Sequence, residues 1–392
     1  MKTFLKKHSK IFRAVLFAFL GISIPLILAE LFLRRFNPQI TFSEFLFPYD
    51  FHCFTNKDYY PVGLKPNKDC ILQGKYNQFK DTHVKTNSTG LRNPEIVNPK
   101  PKGETRILFV GDSFAMGWGV DEDKSFPRVS EQILRQKFPA KKIEAINAGV
   151  ATTGPNYYYL FLKNEGIKLD PDIIVVTFWM LNDIPENVYF TDWLTVDSQG
   201  LPVKVRRNLD FLDSTGSDWP IEVPLKFKFP VIRNSHLFAN LMDTFVHQDL
   251  KSYESLSGLS PRACLYKKSC HDLDIAKAKA KKLFLGIKKL ADDKRAKLLI
   301  AFVPSEFQID RKARAKYDIE VPLTQADKDR PYNEFTGFFA ENGIDYLDMR
   351  PSFKQDSDNI YYFVKDNHWN ELGHNLAAEV ISGRLMEMMK IQ

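Results

Sequence analysis

The chain has 392 residues, 44% of them hydrophobic and 26% charged, with a formal net charge of +7. That balance excludes a disordered or fibrous chain and leaves room for one large domain with attachments. The positive excess comes from a basic N-terminus and lysine-rich runs such as KAKAKK, with no basic stripe interleaved with aromatics, so nucleic acid is not an expected partner.

The first predicted element is a membrane span. Lys2, Lys6, Lys7, Lys10 and Arg13 form a basic head over residues 1–13, and residues 14–33 are apolar except for Ser23 and Glu30 before Arg34 and Arg35 follow. Twenty helical residues rise about 30 Å, enough to cross a hydrocarbon core. Pro25 is tolerable in such a helix, and Glu30 lies near the end where it reaches the interface. The stronger positive flank comes first, which keeps the N-terminus cytoplasmic and exports the rest as a single-pass protein on the periplasmic side. A cleavable signal peptide is the alternative, but its apolar core is usually shorter, and cleavage after Ala29 would put Ile27 at a position that wants a small residue.

Residues 36–104 are rich in Pro, Asn, Phe, Tyr and Lys without long periodic runs, and read as a stalk of short strands and loops packed onto the main domain. All four cysteines lie beyond the span, in two local pairs: Cys53 with Cys70, and Cys264 with Cys270. In an oxidising compartment this predicts two short-loop disulfides, with four unpaired thiols as the alternative. The spacing does not resemble a zinc site, and no metal or cofactor is expected.

From residue 105 short β-rich runs alternate with helical patterns. The predicted strands are 106–111, 142–149, 172–179, 297–304 and 344–349, and the predicted helices are 124–138, 155–168, 272–293, 325–342 and 370–390. This alternation predicts a parallel sheet covered on both faces by right-handed crossovers, within a domain over residues 105–392. Residues 187–271 interrupt the rhythm with aromatics, prolines and one short helical piece, and read as an insertion over the active-site edge or as an extended surface loop.

Chemistry-bearing residues fall at the strand exits, where open α/β sheets bind ligands. Ser113 follows the first strand, Gly149 ends the second, Asn182 follows the third, and Asp366 with His368 precede the final helix. A serine hydroxyl needs a base to take its proton, histidine suits that near neutrality, and a carboxylate on the other ring nitrogen fixes the tautomer. The oxyanion formed by attack on an acyl carbon needs donors already in place, which the N–H groups of Ser113 and Gly149 and the Asn182 amide would supply. The absence of a Cβ at Gly149 is expected to let substrate approach.

These motifs resemble the SGNH (GDSL-like) hydrolase family in its exported, membrane-anchored bacterial form. Gly111-Asp112-Ser113 with Gly117 matches the first block, Gly149 the second, Asn182-Asp183 the third and Asp366…His368 the last, over roughly residues 105–388. The resemblance implies a flavodoxin-like three-layer α/β/α sandwich, with Ser113 as nucleophile, His368 as base, Asp366 as its orienter, and Gly149 and Asn182 completing the oxyanion hole. Two departures stand out. Met180 occupies the usual glycine of the third block, and a single residue, Asn367, separates Asp366 from His368 where two are usual, with Lys365 at the usual Asp position. Asp112 and Asp183 are expected to serve turn geometry, His374 to be structural, Trp118 and Trp369 to wall the pocket or pack in the core, and Ser235-His236 to cap a helix.

The expected activity is that of a membrane-anchored serine esterase acting on an O-acetyl group of a cell-envelope glycan or a short acyl ester, attached to the bilayer through residues 14–33. Two alternatives share the fold: an O-acyltransferase passing the acyl group to a sugar hydroxyl, and a non-catalytic envelope binding or assembly protein.

Overall fold

The structure, a computed structural model, describes residues 2–36, 53–72, 74, 79–189, 194–205, 229, 232, 234–245, 265, 271–309, 324–355, 360–364 and 366–390. The described strands are β1 (Phe54–Lys57), β2 (Tyr60–Leu64), β3 (Asp69–Leu72), β4 (Thr82–Lys85), β5 (Glu104–Gly111), β6 (Lys142–Gly149), β7 (Ile173–Phe178), β8 (Leu194–Val196), β9 (Pro202–Val205), β10 (Lys297–Phe302) and β11 (Asp345–Asp348). The described α-helices are α1 (Lys2–Phe36), α2 (Ser113–Met116), α3 (Phe126–Lys137), α4 (Pro155–Asn164), α5 (Met180–Tyr189), α6 (His236–Phe245), α7 (His271–Asp293), α8 (Glu306–Ile309), α9 (Gln325–Glu341), α10 (Arg350–Gln355) and α11 (Glu371–Lys390). They fall into two compact units, Met1–Pro48 with Ile221–Leu256, and Tyr49–Pro220 with Ser257–Gln392.

The larger unit is built on a parallel five-stranded sheet in the order β11-β10-β7-β5-β6. Counted along the chain within this sheet, the order is 2-1-3-4-5, the flavodoxin-like arrangement whose winding reverses between its first and third strands, here β5 and β7. All six residues of β7 are buried, as a central parallel strand covered on both faces requires. Helices flank the sheet: α3 packs on α11, and α4 and α5 pack on α7. The helix starts follow local chemistry, with Pro155 in the first turn of α4 and a reciprocal Thr324–Asp327 capping box opening α9. Predicted and observed strands agree within two residues at every end, because each is a short apolar run closed by a turn.

Two antiparallel pairs, β1–β2 and β3–β4, precede the sheet, and a disulfide joins Cys53 to Cys70. Cys264, Cys270 and most of the 187–271 segment lie outside the described residues.

The smaller unit pairs α1 with α6. Residues Leu16–Phe36 of α1 are long and apolar enough to cross a membrane. Ser235 caps α6, its Oγ accepting from Phe238 N at 3.1 Å, in line with the cap expected there.

Candidate active site

The reactive serine is placed by a strand that stops abruptly. β5 and β6 end in register, Gly111 beside Gly149, and the chain turns at Asp112 into α2, whose first residue is Ser113. Asp112 Oδ1 accepts from Phe114 N at 2.9 Å and caps that turn. Its other oxygen, Oδ2, is buried with no partner among the described residues, and burial pushes the Asp112 carboxyl up to about 6. The turn closes at Gly117, whose φ of 86° favours glycine, with the N–H groups of Gly117 and Trp118 both donating to Ser113 O.

A buried arginine holds the loop that follows. Arg92 is fully buried and donates to the carbonyls of Met116 (2.9 Å), Gly117 (2.7 Å), Val120 (2.8 Å) and His83 (2.8 Å). Burial lowers its guanidinium to about 10, so the group stays charged at neutral pH. The same loop carries Trp118.

The base and its carboxylate arrive from the segment before α11. His368 Nε2 lies 2.6 Å from Ser113 Oγ. His368 Nδ1 hydrogen-bonds Asp366 Oδ1. That network assigns the tautomer: Nδ1–H donates to Asp366, and the Nε2 lone pair faces the serine hydroxyl. The one-residue spacing works because Asp366 Oδ1 also accepts the backbone N–H of His368 at 2.9 Å, an Asx turn that folds the carboxylate back onto the ring two residues later. Burial raises the Asp366 carboxyl, but the His368 charge and hydrogen bonds, with help from Trp118, outweigh it and hold the group below its usual value. Trp118 Nε1 donates to Asp366 Oδ2 at 3.3 Å. The rings of Phe114 (5.0 Å), Trp118 (5.5 Å) and Trp179 (6.3 Å) surround the imidazole and limit its contact with water.

The remaining predicted site residues reach the same sheet edge with different surroundings. Asn182 is half-buried in the first turn of α5 at the exit of β7, held by its own N–H to Trp179 O at 3.0 Å. Asp183 serves the turn, as expected, accepting from Trp179 N and from the Tyr158 hydroxyl, each at 2.9 Å. Gly149 departs from its expected role. Its N–H donates to Asn147 Oδ1 at 2.9 Å. A Cβ there would lie 2.2 Å from Met116 N and 2.5 Å from Ala115 C, so the missing side chain lets the α2 backbone sit against β6 rather than clearing a path for substrate. Thr152, just beyond β6, has φ 58°, a strained value for a β-branched residue.

His374 is fully buried and structural, accepting from Phe126 N at 3.3 Å and stacking on the Phe126 ring. Burial, then the Arg92 and His368 charges, lower it to about 3. Trp369 is core, packed against Phe114 and Phe353. Trp118 as a donor to Asp366 and Asn147 as the partner of Gly149 escape sequence reasoning. The signal for Asn147 was a polar residue inside an otherwise apolar strand.

A serine at the exit of the strand where the sheet reverses, a histidine and carboxylate ahead of the last helix, and the 2-1-3-4-5 order together give the larger unit an SGNH-like fold. Residues 273–392, under a third of the chain, match the family model described as "SGNH hydrolase-like domain, acetyltransferase AlgX". Similar solved structures include the acetyl xylan esterase AlAXEase (13% identity, 71% of this chain and 98% of that one, TM-score 0.40). A two-domain esterase active on acetylated mannans is also similar (13% identity, 73% and 50% coverage, TM-score 0.35). So is a GDSL-like lipase from Bacteroides thetaiotaomicron (10% identity, 74% and 93% coverage, TM-score 0.36). A search of curated proteins finds no match to the chain.

Proposed function

We propose that the protein is a membrane-anchored serine esterase that forms an acyl-serine on Ser113. The observation that carries this reading is the unbroken relay from Ser113 Oγ to His368 Nε2 and from His368 Nδ1 to Asp366. In the proposed reaction His368 takes the Ser113 proton as Oγ attacks the acyl carbon, and Asp366 stabilises the imidazolium. The tetrahedral oxyanion is met by the Ser113 N–H, which at the first position of α2 faces no intrahelical carbonyl, and by the Asn182 amide. Gly149 N–H joins them only by releasing Asn147. His368 returns the proton to the leaving alcohol oxygen, and water then repeats the cycle in reverse roles to free the acid. The substrate class is an acetyl or other short acyl ester, with an O-acetylated envelope glycan as the physiological candidate.

A second reading has a specific observation behind it. The match of residues 273–392 to an acetyltransferase family model supports transfer of the acyl group to a sugar hydroxyl in place of water. Both readings place α1 across the membrane, with the basic head cytoplasmic and the remainder on the periplasmic side.

The test is turnover of a chromogenic acetyl ester by the full chain in detergent, alongside Ser113→Ala, with and without added oligosaccharide. Hydrolysis lost in Ser113→Ala supports the relay, and a gain of acetylated oligosaccharide at the expense of free acetate selects transfer. Equal background from both proteins across a panel of acyl esters, with no phosphonate labelling of Ser113, sinks acyl-serine chemistry.

A further inference from the structure

In the smaller unit a carboxylate from the apolar helix is spent on a second helix. Glu30 is the sole charged residue within residues 14–33 and lies six residues before the end of α1, about 9 Å along the axis. Its oxygens accept from Ser235 Oγ (2.8 Å), His236 N (3.1 Å) and Leu237 N (2.7 Å), and from Arg34 Nε one turn away (2.7 Å). The opening N–H groups of a helix have no intrahelical acceptor and carry its positive dipole end, so they suit an anion. A carboxylate at the margin of a hydrocarbon core is costly without such partners. The contact therefore fixes the N-terminus of α6 at the level of Glu30.

The sequence of α6, HLFANLMDTF, is strongly two-sided. At 100° per residue His236 and Asn240 fall on one arc, and Leu237, Phe238, Leu241 and Met242 on the opposite one. Leu241 is 42% exposed, and Phe229 and Ile232 just before the helix are 46% and 41% exposed. The neighbouring turns of α1 also present bare apolar side chains, with Ile27, Leu28 and Leu31 each more than half exposed.

We infer that α6 is a second membrane-contacting element, lying in the lipid interface with its apolar arc against the acyl chains and its N-terminus clamped to the span by Glu30. The occupant of the exposed apolar surface is lipid, argued from its continuity with the spanning helix and from the two-sided pattern of α6. The chain thus returns to the bilayer some 205 residues after leaving it, as the Glu30–Ser235 separation shows. This inference rests on α1 spanning the membrane.

The test places the photo-crosslinking residue p-benzoylphenylalanine at position 20, 241 or 97 of the full chain in native membranes, and identifies adducts by mass. Position 97, an exposed valine of the larger unit, is the control. The expected result is lipid adducts at 20 and 241 and none at 97. Lipid at 20 with only protein adducts, or none, at 241 overturns the inference and leaves the anchor standing. No lipid adduct at 20 removes the anchor and the inference with it. Glu30→Ala is expected to lose most of the adduct at 241 while keeping that at 20, and Glu30→Gln, which retains an acceptor, to keep both. An unchanged adduct at 241 in Glu30→Ala refutes the clamp.

Discussion

Trp118 and Asp366 stand 248 residues apart in the chain, yet the indole N–H of one donates to the carboxylate of the other at 3.3 Å. Asp366 thereby meets donors on both oxygens, from His368 on Oδ1 and from Trp118 on Oδ2. The serine loop and the histidine loop are thus coupled through one carboxylate.

Asp366→Asn is expected to leave the fold intact and lower kcat about 10⁴-fold, because the amide neither holds the Nδ1–H tautomer nor stabilises the imidazolium. Trp118→Phe keeps the ring packing and removes one hydrogen bond to a charged acceptor, so a loss of about tenfold is expected. Steady-state ester hydrolysis measures both, and equal losses would contradict the division of labour between tautomer control and support.

Gly149→Ala should damage the site through packing. The new Cβ meets backbone atoms of Ala115 and Met116, which cannot swing aside as a side chain can. A destabilisation of about 1–3 kcal/mol is expected, with slower phosphonate labelling of Ser113 as α2 is displaced. Gly337→Ala, in α9 with open space around it, should instead raise stability by up to about 1 kcal/mol. Urea unfolding distinguishes the two.

Arg92→Met removes the shared donor of four carbonyls and leaves them buried. A loss of about 3–5 kcal/mol is expected, because each buried carbonyl left without a donor costs about 1–3 kcal/mol. Arg92→Lys should fall between the two, since a single ammonium cannot span four acceptors as the guanidinium fork does. Activity should fall with stability because the loop also carries Trp118. Full activity in Arg92→Met would show that the loop holds without it.

Two buried groups set opposing pH dependences. His374 is lowered from 6.5 to about 3, so the unfolded chain binds the extra proton between those values and stability is lost as pH falls through that window. Asp112 is raised from 3.8 to about 6, so its contribution is complete below 3.8 and is lost as pH rises through 6. His374→Gln, which keeps an acceptor for Phe126 N, should flatten the acid limb of the urea midpoint. Asp112→Asn, which keeps the cap acceptor, should flatten the decline from about pH 4 to 6. Unaltered profiles would show that other groups carry the titration.

Much of this protein is legible along the chain. Apolar runs closed by turns mark β5, β6, β7, β10 and β11, and their alternation with helical patterns implies a parallel sheet, because burial on both faces leaves no polar alternation. That Leu16–Phe36 is long and apolar enough to cross a membrane follows from length and hydropathy alone. Strand exits also mark Ser113, Asn182 and His368, since loops beyond parallel strands share one edge.

Contacts between distant segments are a different matter, because no local pattern encodes them. Only the tertiary structure turns the short Asp366–His368 spacing into an Asx turn aimed at the imidazole, and brings Trp118 to the far oxygen of that carboxylate. Gly149 shows the limit most plainly: its position at the sheet edge is local, but the partner of its N–H and the backbone against its Cα are set by how α2 packs on β6. The pairing of Glu30 with α6 likewise depends on two helices meeting. Periodicity and turn chemistry determine which elements form, whereas hydrogen-bond partners across the fold are decided when those elements are packed and every buried donor must find an acceptor.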